Sequence, residues 1–382
     1  FDVARRFGGG AWGLRINGAH RRGELAIDDE NRRATVFGAG VDFHGADVRL
    51  SFDLGYQKIR VERLRPKVTV TSFVPRVPDA DANYAQPWTY TELEDLFAIA
   101  RAEWHVADNV LLYAQAGARD GSEDGIYGGI TVLNAETGAA TGSALLVPRT
   151  DNNEAAQAGV RTKLGLAGMT HELNAGVSHA RQVNRNAFDF LGGFGGYATN
   201  LYDTPDVPLP GTGFVGGDLE DPFPISRSRL TSFFASDTVG LAGDRLLLTA
   251  GLRHQRIKVK GYDYYDGGSL TSEYDESAVT PVVGLVVKPR ESLSLFANRI
   301  EGLQQGPTAP VDPTIINPGE VFAPVKSVQY EVGAKASFGA VNGSIAAFRI
   351  TRPSAYAVPD EASPGFFRFG LFGEQLNQGV EL

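Results

Sequence analysis

The sequence predicts an all-β protein, an antiparallel up-and-down transmembrane β-barrel. Three observations predict it. Apolar and polar residues alternate with period two, the alternating stretches outrun ordinary soluble strands, and short connections alternate with long ones.

The alternation is cleanest in four places. Val48, Leu50, Phe52, Leu54 and Tyr56 alternate with Arg49, Ser51, Asp53, Gly55 and Gln57. Leu96, Ala98, Ala100, Ala102, Trp104 and Val106 alternate with Phe97, Ile99, Arg101, Glu103 and His105. Ala156, Ala158, Val160, Thr162, Leu164 and Leu166 alternate with Gln157, Gly159, Arg161, Lys163 and Gly165. Val328, Tyr330, Val332, Ala334, Ala336 and Phe338 alternate with Gln329, Glu331, Gly333, Lys335 and Ser337. Each is a strand with one greasy and one polar side.

Extending the rule along the chain gives about fifteen strands: 2–7, 12–23, 33–44, 48–62, 90–106, 109–120, 154–167, 170–187, 227–241, 245–260, 276–289, 292–303, 325–338, 341–357 and 366–382. Short turns are expected at 44–47, 107–109, 168–169, 242–244, 290–291 and 339–340, and long loops at 63–89, 121–153, 188–226, 261–275 and 304–324. Tight turns at one end and long loops at the other describe a membrane barrel, whose strands need about 9–11 tilted residues to cross the hydrocarbon. Lipid leaves no backbone group unpaired, so the sheet must close. A soluble propeller or solenoid would instead repeat a motif with a period of about 40–50 residues, and no motif recurs.

Composition narrows the chemistry. Of 382 residues none is cysteine, which excludes a disulfide scaffold, a thiol nucleophile and a Cys-based zinc site. A net charge of −9 argues against a nucleic-acid partner. No run of about 18 apolar residues suggests a spanning helix, no basic-then-apolar leader sits at the start, and the opening on Phe1 rather than Met favours a processed or truncated chain.

Aromatics fall into two groups. Trp12, Trp104, Tyr330 and Phe338 sit near strand ends on the apolar side, as an interfacial girdle requires. Others crowd the long loops: Tyr84, Trp88 and Tyr90 in one, Phe188, Phe190, Phe194, Tyr197 and Tyr202 in another. Such residues bind a flat, partly apolar ligand or pack the loops onto each other and the rim. "GTGFVG" (211–216) lies among prolines and reads as flexible loop, not a dinucleotide site. "DADAN" (79–83) lacks the glycine and glutamate of a calcium loop. The six histidines have no ligand spacing, and no nucleophile elbow is present. Nothing here marks an enzyme.

Four stretches carry a resemblance. "SLSLFANRIEGLQQGPTAP…NPGEVFAPVKSVQYEVGAK" (292–335), "ARRFG…WGLRINGAHRRGE…AIDDENRR" (4–33), "NYAQPWTYTELEDLFAIARAEWHV" (83–106) and "AAFRITRPSAYAVPD…EQLNQGVEL" (346–382) are similar to TonB-dependent siderophore receptors of the bacterial outer membrane. The resemblance implies a barrel of 22 strands around an N-terminal plug, with uptake of ferric siderophores energised through the TonB complex. Residues 1–382 read as a partial barrel domain of about 15 strands, lacking the plug and the last strands, so that TonB would act through the missing N-terminal segment. The implied partners are the ferric siderophore, outer-membrane lipid and lipopolysaccharide. No cofactor and no protein metal ligand are expected, since iron arrives already chelated. Tyr84, Trp88, Tyr90, Phe190, Tyr197 and Tyr202 are the candidate ligand-binding residues, acting by stacking and phenol hydrogen bonds. Arg49, Arg101, Glu103, Arg161, Gln329, Glu331 and Lys335 would face the plug. Haem, cobalamin or a sugar are alternative cargoes, and a passive porin is an alternative class.

Overall fold

The computed structural model describes residues 1–71 and 73–382. It has nineteen strands: β1 (Asp2–Phe7), β2 (Trp12–Glu24), β3 (Asn31–His44), β4 (Val48–Glu62), β5 (Lys67–Val70), β6 (Tyr90–Ala107), β7 (Val110–Val132), β8 (Ala139–Leu166), β9 (Met169–Asn186), β10 (Phe188–Leu191), β11 (Tyr197–Asn200), β12 (Phe214–Gly216), β13 (Pro224–Leu241), β14 (Leu246–Tyr262), β15 (Leu270–Arg290), β16 (Leu293–Gln304), β17 (Val325–Phe338), β18 (Val341–Pro359) and β19 (Phe367–Glu381). Four of them, β5, β10, β11 and β12, are short and belong to the long connections. The other fifteen form the wall, each antiparallel to the wall strands before and after it. Among the described residues β1 and β19 do not pair with each other, so the sheet is open between them.

Every predicted wall strand is present, and two predicted loops are corrected. The 121–153 loop is mostly strand: β7 and β8 stay paired without a break from Val110↔Thr162 to Val132↔Ala140. Likewise β14 and β15 pair up to Tyr262↔Leu270. The alternation fades in both because these extensions rise beyond the apolar band, where neither face needs to be greasy. The turn expected at 168–169 sits one residue earlier. Ala167 and Gly168 have φ of 53° and 79°, as a two-residue type I′ hairpin requires.

Directly opposed residues in a ladder share a face, so the register assigns every side chain. Trp104 opposes Val48 and Leu112, and Val332 opposes Ala297 and Ala347. Carried strand to strand, this places all the greasy sides on one surface of the sheet. Large apolar groups on it stay open, with Leu252 59 % and Val332 57 % exposed, because their solvent is lipid. Trp12, Trp104, Tyr330 and Phe338 lie on this surface, and Trp12 packs against Phe7 and Phe43. Arg49, Arg101, Glu103, Arg161, Gln329, Glu331 and Lys335 lie on the other, lumenal surface, where Arg49 opposes Glu103.

The lumenal surface also holds aromatic rings, each opposite a glycine. Phe97 opposes Gly55, Tyr113 opposes Gly159, Phe234 opposes Gly176, Phe296 opposes Gly333 and Phe348 opposes Gly379. In every pair a Cβ on the glycine would run into the ring. The rings lie flat across bare backbone, which hides apolar area on a wet surface and keeps the lumen clear.

Candidate ligand-binding face

The paired extension of β7 and β8 is the pillar of the outer side. Ile130, Val132 and Ala140 on one of its faces join Leu201 in a buried cluster, with Val68, Tyr84 and Tyr202 packed against it. β5 runs parallel to β7 from Lys67↔Gly129 to Val70↔Val132. β10 and β11 run antiparallel to β8. Segments far apart in sequence thereby meet on one hairpin.

Four of the six candidate aromatics are gathered there. The Tyr84 ring packs on the buried cluster with the Arg65 guanidinium 5.8 Å away. The Trp88 indole N–H donates to the Val207 carbonyl at 3.0 Å, and its ring meets Tyr197 edge-on at 5.9 Å. Tyr197 lies across Gly142, its directly opposed residue on β8, and burial pushes its phenol up to about 12. The Tyr202 hydroxyl donates to the Arg76 carbonyl at 2.9 Å, with the Arg76 guanidinium 4.9 Å from its ring.

Tyr90 stands apart. Its hydroxyl donates to Asp124 at 2.6 Å and Arg60 lies 4.3 Å over its ring. It opposes Glu62 and Ile126, so its side chain leaves the sheet on the same surface as Tyr56 and Leu96.

Phe190 belongs to a second group of rings. Phe188 and Phe190 on β10 contact each other at 5.4 Å, Phe194 lies 5.2 Å from Phe190, and Phe214 on β12 lies 5.2 Å from Phe194. From the next outer connection Tyr264 meets Phe188 at 5.4 Å and Tyr265 meets Phe214 at 6.1 Å. Phe194 is 76 % and Tyr265 61 % exposed, so the group presents ring faces outward. Alternation on β10 explains the arrangement: Asp189, between the two Phe residues, points the opposite way, is buried, and accepts the Gly213 N–H at 3.0 Å.

"GTGFVG" is therefore only partly loop: Phe214–Gly216 form β12, antiparallel to β10, and no helix follows. Sequence reasoning missed Phe214, Tyr264 and Tyr265, although "YDYYD" (262–266) offered an aromatic signal. It also missed Gln86. This buried side chain donates to the Pro205 carbonyl at 2.9 Å and accepts the Val207 N–H at 2.8 Å, imitating a strand backbone. Gln86 and Trp88 together tie the 63–89 connection to residues 205–207.

The arrangement supplies stacking faces, apolar contact and a few phenol hydroxyls. Among the described residues no group of three or more His, Cys, Asp or Glu is placed to hold a metal ion.

Comparison with known proteins agrees with this architecture. The model of the family described as TonB dependent receptor-like, beta-barrel matches residues 21–382. The ferrichrome receptor FcuA of Yersinia enterocolitica is 34 % identical over 387 residues, which take in 100 % of this chain and 50 % of that receptor. BauA, the ferric preacinetobactin receptor of Acinetobacter baumannii, superposes with a TM-score of 0.87 at 30 % identity, over 99 % of this chain and 56 % of its own. The ferripyoverdine receptor of Pseudomonas aeruginosa, solved bound to ferripyoverdine, gives 0.78 at 16 % identity, over 99 % and 50 %, a likeness of fold. The chain spans about half the length of these relatives.

Proposed function

This chain belongs to the TonB-dependent receptors, β-barrel proteins of the bacterial outer membrane, and from that premise we propose that it forms the wall and ligand-collecting loops of a receptor for ferric siderophores. Residues 1–382 act as one barrel domain. The lumenal surface, with Arg49, Arg101, Glu103, Arg161, Gln329, Glu331 and Lys335, receives the plug, and transport draws its energy through TonB. No bond is made or broken in the ligand. No resident cofactor is needed, because the iron arrives inside its chelate.

The observation that carries this reading is the exposed ring cluster of Phe188, Phe190, Phe194, Phe214, Tyr264 and Tyr265 on the outer loops. The buried cluster of the outer loops is filled by other residues and leaves these rings outside it, so outward ring faces favour a partly apolar ligand. Phe190 would meet the chelate from this cluster. Tyr84, Trp88, Tyr197 and Tyr202 would line the neighbouring wall, whereas Tyr90, whose side chain leaves the sheet on the lipid-side surface, would act only by holding the rim through Asp124 and Arg60. The name of the ferrichrome receptor FcuA supports the same class of cargo.

On the other surface the wall meets lipid and lipopolysaccharide. Arg229 directly opposes both Arg181 and Lys258 on the lipid-side surface. Arg181 pairs with Glu154 at 3.6 Å and Lys258 with Glu273 and Asp275 at 2.9 and 2.8 Å, so among the described pairs Arg229 is the cation of the three without an acidic partner, and a lipid phosphate would supply it.

The test is equilibrium binding of ferric chelates to the full-length receptor, with iron-free chelators as controls. Saturable binding of a ferric form, weakened by Phe190→Ala with Phe214→Ala, is expected. Absence of binding across a panel of ferric siderophores would remove the proposal.

A further inference from the structure

The outer loops are sharply divided by charge. The connections at 188–223, 263–269, 305–324 and 360–366 contain twelve Asp and Glu and no Lys, Arg or His. All but Asp189, Asp263 and Asp360 are exposed, and among the described pairs only Asp360 has a basic partner, Arg368 at 3.5 Å. The ring cluster is built from the first two of these connections. Tyr264 and Tyr265 stand between Asp263 and Asp266, and Asp218, Glu220 and Asp221 follow soon after Phe214. Cations of the outer connections are confined to residues 63–76 and are Arg63, Arg65, Lys67 and Arg76, of which Lys67 stands exposed on β5. There Arg63 pairs with Asp29 at 2.9 Å, Arg65 donates to the Ala80 carbonyl at 2.9 Å, and Arg76 lies over Tyr202.

Local bonding favours the charged form of Asp218 and Asp312. Asp218 accepts the N–H groups of Glu220 and Asp221 at 2.9 and 3.1 Å, and Asp312 accepts the Thr314 N–H at 2.7 Å and its hydroxyl at 2.6 Å. Both are thereby held below the usual carboxylate range, by the backbone donors at Asp218 and chiefly by the hydroxyl at Asp312. The connections that carry the ring faces therefore present charge of one sign, beside basic strand residues such as Arg227, 5.3 Å over the Tyr262 ring, and that charge steers and sorts charged ligands.

We infer that the outer aromatic cluster selects its ferric chelate by charge, accepting neutral or cationic complexes and disfavouring anionic ones. The inference rests on the siderophore reading above and narrows its substrate class. Three hydroxamates neutralise Fe(III) fully, leaving a neutral core to which a pendant ammonium adds positive charge. Three catecholates leave the complex strongly negative, and the four acidic connections contain no guanidinium group to meet it. Ring stacking is indifferent to this difference, so the discrimination belongs to the acidic surround.

The experiment holds the iron centre constant. One linear ferric trihydroxamate is prepared with its terminal amine free, acetylated or succinylated, giving a positive, a neutral and a negative complex. Binding to the full-length receptor is measured at low and high salt, beside a ferric tricatecholate. Affinity is expected to fall in that order, by about tenfold from first to last at low salt, with the spread closing as salt shortens the Debye length to about 3 Å near 1 M. The triple variant Asp206→Lys, Glu220→Lys, Asp221→Lys alters exposed side chains that have no bonding partner among the described residues. It should reverse the order while leaving the neutral complex bound as before. Equal affinities, a reversed order in the wild type, or preference for the tricatecholate would overturn the inference and leave the siderophore reading standing. Failure of every ferric chelate to bind would overturn both.

Discussion

The Phe97 ring lies across Gly55, its directly opposed residue, so closely that a Cβ at position 55 would run into the ring. The same pairing recurs around the lumenal surface and sets a sequence constraint that no apolar–polar pattern reveals. Gly55→Val should lower the stability of the folded barrel by about 1–3 kcal/mol, the usual cost of overpacking. Phe97→Ala should relieve that cost. A double-mutant cycle read by denaturant unfolding in lipid vesicles would then show strong coupling. Simple additivity would mean that the ring moves aside freely.

Gln86 predicts how the outer loops are tied. Gln86→Leu leaves the Pro205 carbonyl and the Val207 N–H without their partner, a loss of about 1–3 kcal/mol for groups kept from water. The expected readout is local: faster proteolysis within 203–213 in a barrel that remains folded. Gln86→Glu keeps the acceptor but loses the donor and should fall between. Unchanged cleavage in Gln86→Leu would show that Trp88 alone holds the segment.

Tyr197 gives a pH dependence with a definite sign. Burial raises its phenol to about 12 in the folded loops, above the value near 10 of a free side chain. The loop stabilisation linked to it is complete below about pH 10 and is lost as pH rises through about 12. Ultraviolet titration of wild type against Tyr197→Phe should show one phenol that ionises late. A phenol ionising near pH 10 would contradict its burial.

Arg229, set between Arg181 and Lys258 and without an acidic partner among the described pairs, predicts a lipid dependence. Arg229→Gln should raise folded stability in uncharged detergent by a few tenths of a kcal/mol, the scale of cross-strand charge terms. It should lower stability in lipopolysaccharide-containing bilayers. The same sign of change in both media would show that Arg229 does not meet lipid phosphate.

The wall was legible because lipid demands an uninterrupted greasy surface, as in Val328 to Phe338. The upper halves of β7 and β8 were not, since residues such as Gly121, Gly125, Gly128 and Gly129 face no lipid and break the period. The opposition of Phe97 and Gly55 depends on register, which joins residues 42 positions apart. The aromatic richness of the 188–226 connection was visible along the chain. Its union with Tyr264 and Tyr265 was not, because pairing of β9, β13 and β14 brings those connections together. Gln86 looked like any polar loop residue until its two backbone partners, more than a hundred positions away, were in place.

The central claim is energised collection of a ferric siderophore. Its most direct measurement is uptake of radiolabelled ferric trihydroxamate by cells whose only hydroxamate receptor is the full-length protein, with and without a membrane uncoupler. Saturable uptake abolished by the uncoupler, and reduced at least tenfold by Phe190→Ala with Phe214→Ala in normally abundant receptor, is the predicted result. Uptake that ignores the uncoupler and rises linearly with concentration would contradict the account and identify a passive pore.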